Sequence, residues 1–320
     1  LKSALEFQNN WNELVAIGDD SPSVSVIIPV FRPEHLEDVL NHLYSIGGFC
    51  DVILVDDTGD FREIDYSFTK RYDNISIVFH EKNLGRPSAR NTGASYSNND
   101  ILVFIDQDMF LNPAFIVKTK EFYKSNNSML YLGCRETIDF KFLSEIKEWV
   151  EPDIMKEWRM RTVVVPEFVD LTVLGVGGKN NNCESGDVVC IYDMSERLKK
   201  LGILKEKTIG FWDLPSMVVS HSMAISRKDF YCIGGFPEWI QGWGGEDIVL
   251  GFSACAAHIP IYLSRCISYQ AYHKPYSGSE ENKIKELKNN LKYYRKWASE
   301  ADEFPSFCLE KYAQRGIRWI

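Results

Sequence analysis

From Val24 onward the chain alternates two kinds of apolar pattern. Short continuous runs rich in valine and isoleucine fall at 24–30, 52–55, 75–79 and 101–105. Between them, over 34–46, 87–96 and 113–124, apolar residues recur at three- and four-residue spacing. An apolar run without polar alternation suits a strand covered on both faces, and the spaced pattern is one face of a helix. The alternation predicts an α/β protein with a mostly parallel central sheet flanked by helices.

The pattern fades between 135 and 215, where Gly175-Val-Gly-Gly-Lys-Asn-Asn-Asn182 predicts a long polar loop. That stretch lacks the spacing, and the Ser or Thr after lysine, of a triphosphate-cradling loop. Order returns at 217–226, then comes a glycine-rich block at 234–245, a helix over 246–257 and a strand over 259–263. Residues 280–300 predict a solvated, mixed-charge helix packed by Leu287, Leu291 and Tyr294.

Composition narrows the classes. With 320 residues, 45% of them hydrophobic, the chain can bury a full core. A net charge of −9 argues against a nucleic-acid partner, which needs clustered Lys and Arg to displace counterions. No run of 18 apolar residues predicts a transmembrane segment, and residues 1–20 lack the pattern of a signal peptide. The expectation is a cytoplasmic chain, with membrane association or a place within a longer protein left open by the first residue, Leu1. Eight cysteines without a C-x-x-C pair predict reduced, buried thiols, with Cys134 and Cys255 in apolar context. Sequons at Asn74 and Asn126 are short enough to arise by chance.

In parallel sheets a ligand sits beyond the carboxyl ends of the strands, so polar residues just after each apolar run converge on one crevice. Three groups qualify: Pro29–Arg32, Asp56-Asp57 and Asp106-Gln107-Asp108. Asp106 and Asp108 offer hard oxygen ligands to Mn²⁺ or Mg²⁺, which can bridge a carboxylate to phosphate oxygens; the alternative is an ordinary acidic turn. Asp57 can accept hydrogen bonds from a base or ribose, or cap a turn with Thr58 and Gly59, and Asp56 is equally suited to a structural role.

Further on, Gly85-Arg86-Pro-Ser-Ala-Arg90-Asn91 opens a helix and suits a phosphate, unless Arg86 and Arg90 pair with carboxylates of the site. In Gly242-Trp243-Gly-Gly-Glu246-Asp247 one acid can serve as a general base, or either can cap the helix it opens. His273 can complete a metal shell, and His221 can line an acceptor site.

These residues resemble the glycosyltransferase A fold, a Rossmann-like architecture, and within it the family 2 enzymes. The carboxyl-terminal segment resembles that of the β-1,4-galactosyltransferases and polypeptide N-acetylgalactosaminyltransferases. Pro29-Val-Phe31 matches the proline-bearing loop that touches the nucleotide, and Asp57 the acid that reads uracil or ribose. Asn83-Leu-Gly85-Arg86 with Ala89-Arg90-Asn91 is similar to the Gly-x-x-x-Ala-Arg-Asn block, and Asp106-Gln107-Asp108 to the D-x-D, with Asp108 the direct metal ligand. Met223-Ala-Ile-Ser-Arg227 and Gly234-Gly235-Phe236 resemble the strand and turn before the acceptor site. The resemblance implies that Trp243 covers the donor sugar, that Asp247 with Glu246 beside it is the base, and that His273 is the histidine ligand. Phe31-Arg32 departs from the Asn that usually follows the proline.

What the resemblance implies is a single catalytic domain with an acceptor-side insert: an extension at 1–23, a nucleotide-sugar-binding half at 24–134, an acceptor-binding and catalytic half at 135–278, and a helical tail at 279–320. Its activity is metal-dependent transfer of a hexose or N-acetylhexosamine from a UDP-sugar to a hydroxyl of a glycan, lipid-linked or protein acceptor, with inversion. The alternatives are a nucleotidyltransferase on a similar scaffold, and a catalytically inactive sugar-binding protein.

Overall fold

The computed structural model describes residues 21–59, 64–139, 162–164, 210–212, 218–257, 259, 261–272, 282, 285, 286, 289 and 290. The chain forms two compact units interleaved in sequence. The first takes Leu1–Pro152, Ser220–Glu238 and Tyr262–Tyr276, and the second takes Asp153–Val219, Trp239–Ile261 and Ser277–Ile320.

The described elements are, in chain order, β1 (Val24–Val30), α1 (Leu36–Ile46), β2 (Asp51–Asp56), β3 (Ile75–Phe79), α2 (Arg86–Tyr96), β4 (Ile101–Ile105), β5 (Met109–Phe110), α3 (Ala114–Asn126) and β6 (Leu130–Asp139). After them come β7 (Thr162–Val164), β8 (Gly210–Trp212), β9 (Ser222–Ser226), α4 (Arg227–Cys232), α5 (Glu246–Ala256) and β10 (Ile261–Tyr272). Eight strands form one sheet in the order β3-β2-β1-β4-β9-β6-β10-β5, while β7 and β8 pair separately in the second unit. β3, β2, β1 and β4 run parallel. β9 runs antiparallel to β4 and to β6, and β5 antiparallel to β10.

Every residue of β1 and of β4 is buried, including Ser25, as their largely apolar runs lead one to expect. One face of the sheet is closed by α1, whose Leu36, Val39, Leu40 and Leu43 are spaced to form one stripe and are all buried. α2 lies close against β1 and β2 at Gly93. A Cβ there would overlap the Ile27 Cγ2 methyl and stand 3.3 Å from Val55 Cγ2.

Pro29 opens the sheet where the parallel strands end. Ser23 accepts from Ile101 on the β4 side, while Val24 and Val30 accept from Cys50 and Asp57 on the β2 side. In a parallel strand successive residues face alternate neighbours, so Pro29 faces β4, and it has no N–H to donate. The last β1–β4 pair is accordingly Ile27 with Phe104, whereas β1–β2 pairing continues to Val30 with Asp56. The order β2-β1-β4 makes this gap the switch point at which α/β sheets bind ligands.

The structure departs from the expectations in three places. β10 is longer than the strand expected over 259–263, because the chain continues extended through Ser264, Ser268 and Gln270. β6 was not expected, since Gly133, Arg135 and Glu136 interrupt its apolar run, and β5 has only two residues. Cys134 and Cys266 are buried free thiols as anticipated, but Cys50 and Cys232 are exposed: one lies in the turn leading into β2 and the other ends α4. The loop at 175–182, the tail residues Leu287, Leu291 and Tyr294, and the side chain of Cys255 lie outside the described residues. Among the described residues no helix is long and apolar enough to cross a membrane.

Candidate active site

In the first unit, the carboxyl ends of β1, β2 and β4 deliver Phe31, Asp57 and Asp106 to the edge of the sheet. Asp106 is the residue immediately after β4. Its N–H reaches the carbonyl of His221 at 3.3 Å, and its own carbonyl accepts from Met109 at 3.0 Å, so the Asp106-Gln107-Asp108 segment turns sharply into β5. Arg90 Nη2 donates to Asp106 Oδ1 at 2.9 Å, and the guanidinium is only 1% exposed. The guanidinium also lies 5.1 Å from the centre of the Phe236 ring. Burial pushes the Asp106 carboxyl up, but the charges of Arg90, Arg86 and Arg135 more than offset it and hold the group below the usual carboxylate range. The alternative in which Arg90 pairs with a carboxylate of the site is therefore the arrangement found. Arg135, which the sequence pattern gave no reason to single out, adds to the field from β6.

Asp108 is buried, and its Oδ2 accepts from Gln270 Nε2 at 2.7 Å. Its carbonyl accepts from Ala271 N at 3.0 Å, so β10 fixes both the backbone and the side chain of this acid. Among the described residues no group of three or more His, Cys, Asp or Glu is arranged to hold a metal. Two carboxylates on one turn nevertheless fit a cation such as Mg²⁺ or Mn²⁺, which commonly takes one or two protein carboxylates and completes its shell with phosphate oxygens and water. His273 lies outside the described residues.

Asp57 is only 3% exposed, and both of its carboxylate oxygens are engaged by the protein. Oδ1 accepts from Leu84 N at 2.7 Å and Oδ2 from Gly85 N at 2.8 Å. His80 Nδ1 lies 2.7 Å from Oδ1, and its Nε2 lies 2.9 Å from Thr92 Oγ1. Asp57 thus pins the turn that launches α2, and His80 ties that acid to the helix. Asp56 is structural as well, accepting from Thr58 and, at 2.9 Å, from the Tyr66 hydroxyl. Gly85, at φ 90° in the region that favours glycine, begins α2 so that Arg86 stands at its first position.

Side-chain amides fasten two segments of the site. Asn91 donates to the Phe236 carbonyl at 2.9 Å and accepts from the Phe236 N–H at 2.8 Å. A Cβ on Gly235 would stand 2.7 Å from Asn91 Oδ1, which is why the Gly234-Gly235-Phe236 turn needs a residue without one there. Gln107 does the same for Phe31. Phe31 N donates to Gln107 Oε1 at 2.7 Å, and Gln107 Nε2 donates to Phe31 O at 2.9 Å. Pro29 is buried within β1, Phe31 is exposed and His221 is buried, with its Nδ1 2.8 Å from Ser222 Oγ.

In the second unit, Glu246 and Asp247 open α5; Glu246 is buried and Asp247 half-buried. Trp243, 39% exposed, projects from a loop in which Gly242, Gly244 and Gly245 all have positive φ. That loop is anchored by residues far along the chain: Trp243 N donates to Glu286 Oε2 at 2.9 Å, and Asn290 Nδ2 donates to the Gly244 carbonyl at 2.7 Å. The tail, expected as a solvated helix packed by Leu287, Leu291 and Tyr294, supplies these two anchors.

Residues 25–168 match the family described as Glycosyl transferase family 2. Among curated proteins the chain is 27% identical over 254 residues to validoxylamine A glucosyltransferase of Streptomyces hygroscopicus subsp. limoneus, covering 76% of this chain and 50% of that protein. It is 23% identical over 257 residues to N-acetylgalactosaminyltransferase 6 of Drosophila melanogaster, covering 77% of this chain and 33% of the relative. Among solved structures, S. aureus TarS 1-349 in complex with UDP-GlcNAc aligns with a TM-score of 0.48 at 14% identity, covering 82% of this chain and 64% of that one. The chain spans about half the length of the first of these relatives. The family match begins inside β1 and takes in β2, β3, β4 and the Asp106-Gln107-Asp108 turn, the elements that build the site just described. Over residues 25–168 the chain is similar to glycosyl transferase family 2.

Proposed function

We propose that this chain transfers a hexose or N-acetylhexosamine from a UDP-sugar to an acceptor hydroxyl, using Mn²⁺ or Mg²⁺ and inverting the anomeric configuration. What supports the proposal is that Phe31 is tied to the Asp106-Gln107-Asp108 turn beside the gap that Pro29 opens between β1 and β4, with the Arg86 charge acting on Asp106, within the segment matching the family. Two relatives named for transfer of a glucosyl and of an N-acetylgalactosaminyl group support the sugar class.

In this reading Phe31 meets the base, Arg86 at the amino end of α2 meets the diphosphate, and Trp243 covers the sugar. A divalent cation held by Asp108 and Asp106 supplies charge neutralisation to the departing diphosphate. Asp247, the more exposed acid of its pair, takes the proton of the acceptor hydroxyl as the oxygen bonds to the anomeric carbon. The bond from that carbon to the diphosphate breaks and UDP leaves with the electron pair. Attack and departure on opposite faces invert the centre. His221 lines the acceptor side, and His273 joins the cation's ligands. The acceptor is a glycan, a lipid-linked sugar or a protein.

The test is release of UDP from a panel of UDP-sugars, with Mn²⁺ and with a chelator, for the native chain and Asp247→Asn. Metal-dependent release that falls at least 100-fold in the variant supports the proposal. Binding of UDP-sugars without any turnover across a broad acceptor panel would move the sugar-binding alternative to the front.

A further inference from the structure

We infer that Gln107, the middle residue of the acidic turn, is a positioning residue for the nucleobase, acting through the main chain of Phe31. The inference rests on the nucleotide-sugar reading above and adds a residue to which that reading assigns no role.

Gln107 sits between two carboxylates that the reading uses, but its own side chain turns to the loop after β1. Its amide meets both polar groups of one residue: the Phe31 N–H at 2.7 Å and the Phe31 carbonyl at 2.9 Å. That is the bond pattern one strand makes with another, supplied here by a side chain. It falls just where the β1–β4 ladder has lapsed, after the pair Ile27 and Phe104 and beyond Pro29. Gln107 restores across the gap the connection that the proline removes, and leaves the gap open for a ligand.

The residue it holds needs holding. Phe31 is 38% exposed, so its ring is accessible to a ligand. The next residue, Arg32, has φ 47° in the left-handed region that side chains rarely adopt, and its guanidinium stands 5.3 Å from the centre of the Phe31 ring. Such a backbone persists only where its surroundings over-determine it, and strain of this kind gathers at ligand sites. An exposed ring beside a guanidinium, on a clamped backbone at the switch point, is a stacking platform for a planar base.

A clamp of this type also couples the two ends of the ligand. The same turn carries Asp106 and Asp108, so two hydrogen bonds tie the platform to the segment that bears the acids. Gln107 requires an amide in particular: one oxygen to accept and one N–H to donate. A carboxylate retains the first function and loses the second, and a carboxylic acid regains it.

The experiment is calorimetric titration of UDP, with Mn²⁺ present, into the native chain, Gln107→Ala, Phe31→Ala, the double variant and Gln107→Glu, each first checked for a native melting transition. Loss of the clamp is expected to weaken UDP about tenfold, as is loss of the ring. Because the first acts through the second, the double variant should bind within about twofold of Phe31→Ala. Gln107→Glu, which keeps the acceptor and loses the donor, should not restore the native affinity. Additive losses, or unchanged affinity in Gln107→Ala, would overturn the inference while leaving the nucleotide site standing. Failure of the native chain to bind UDP would sink both.

Discussion

Asp106→Asn should destabilise the protein as well as impair its chemistry, by an amount that follows from its partner. The substitution keeps the shape of the side chain and removes its charge. Arg90 then remains 1% exposed and loses the Asp106 carboxylate, on which the charges of Arg86 and Arg135 also act. Removing one member of a buried pair costs about 3–5 kcal/mol because the other charge is left uncompensated in a poor solvent. Asp106 is 20% exposed, so some water reaches the pair, and the lower end of about 3 kcal/mol is expected. That is roughly a 100-fold change in the folding equilibrium.

The pH dependence gives the sign. The Asp106 carboxyl is held below its usual range in the folded state, so its contribution is fully present above the unfolded carboxylate pKa near 4 and is lost as pH falls through the lower folded value. Urea unfolding of the native and variant chains at pH 7 and across pH 5 to 2.5 measures both effects. The gap should be widest at neutral pH and close in acid. A variant as stable as the native chain at pH 7, or a gap independent of pH, would refute the reasoning. One practical consequence follows. Lost activity in Asp106→Asn would mix a folding defect with a chemical one.

Gly93→Ala should lose stability despite the better helix propensity of alanine: overpacking against the stiff Ile27 side chain costs about 1–3 kcal/mol and the propensity gain returns at most about 1, a net loss readable in the urea midpoint. Asn91→Ala should cost about 1–3 kcal/mol and speed hydrogen exchange of the Phe236 amide, because the part-buried turn loses both bonds of its clamp. His80→Ala should cost about 1–2 kcal/mol by severing Asp57 from Thr92, with His80→Gln recovering part of it, as thermal unfolding would report.

The sequence made the parallel half of the sheet legible because β1, β2 and β4 are dominated by apolar residues, the pattern expected of strands buried on both faces. β6 and the extended β10 escaped for the converse reason: Arg135, Ser264 and Ser268 interrupt their apolar runs. The acidic turn was visible from its place after the fourth run. Its wiring was not, since Arg90 to Asp106 and Gln270 to Asp108 are contacts across 16 and 162 positions. Asp57 shows the same limit: its spacing after β2 suited a ligand contact, while its bonds to Leu84, Gly85 and His80 give it a place in the scaffold. The roles of Glu286 and Asn290 at the Trp243 loop follow from contacts more than 40 residues apart, which periodicity cannot express.

The central claim, a metal-assisted nucleotide-sugar site at the gap between β1 and β4, is tested most directly by the melting temperature of the native chain and of Asp108→Ala with UDP-sugars, each with and without Mn²⁺. A ligand that binds only the folded state raises the transition by mass action. The account predicts a rise for at least one UDP-sugar that requires both Mn²⁺ and Asp108. No rise with any nucleotide sugar under any metal condition would contradict it.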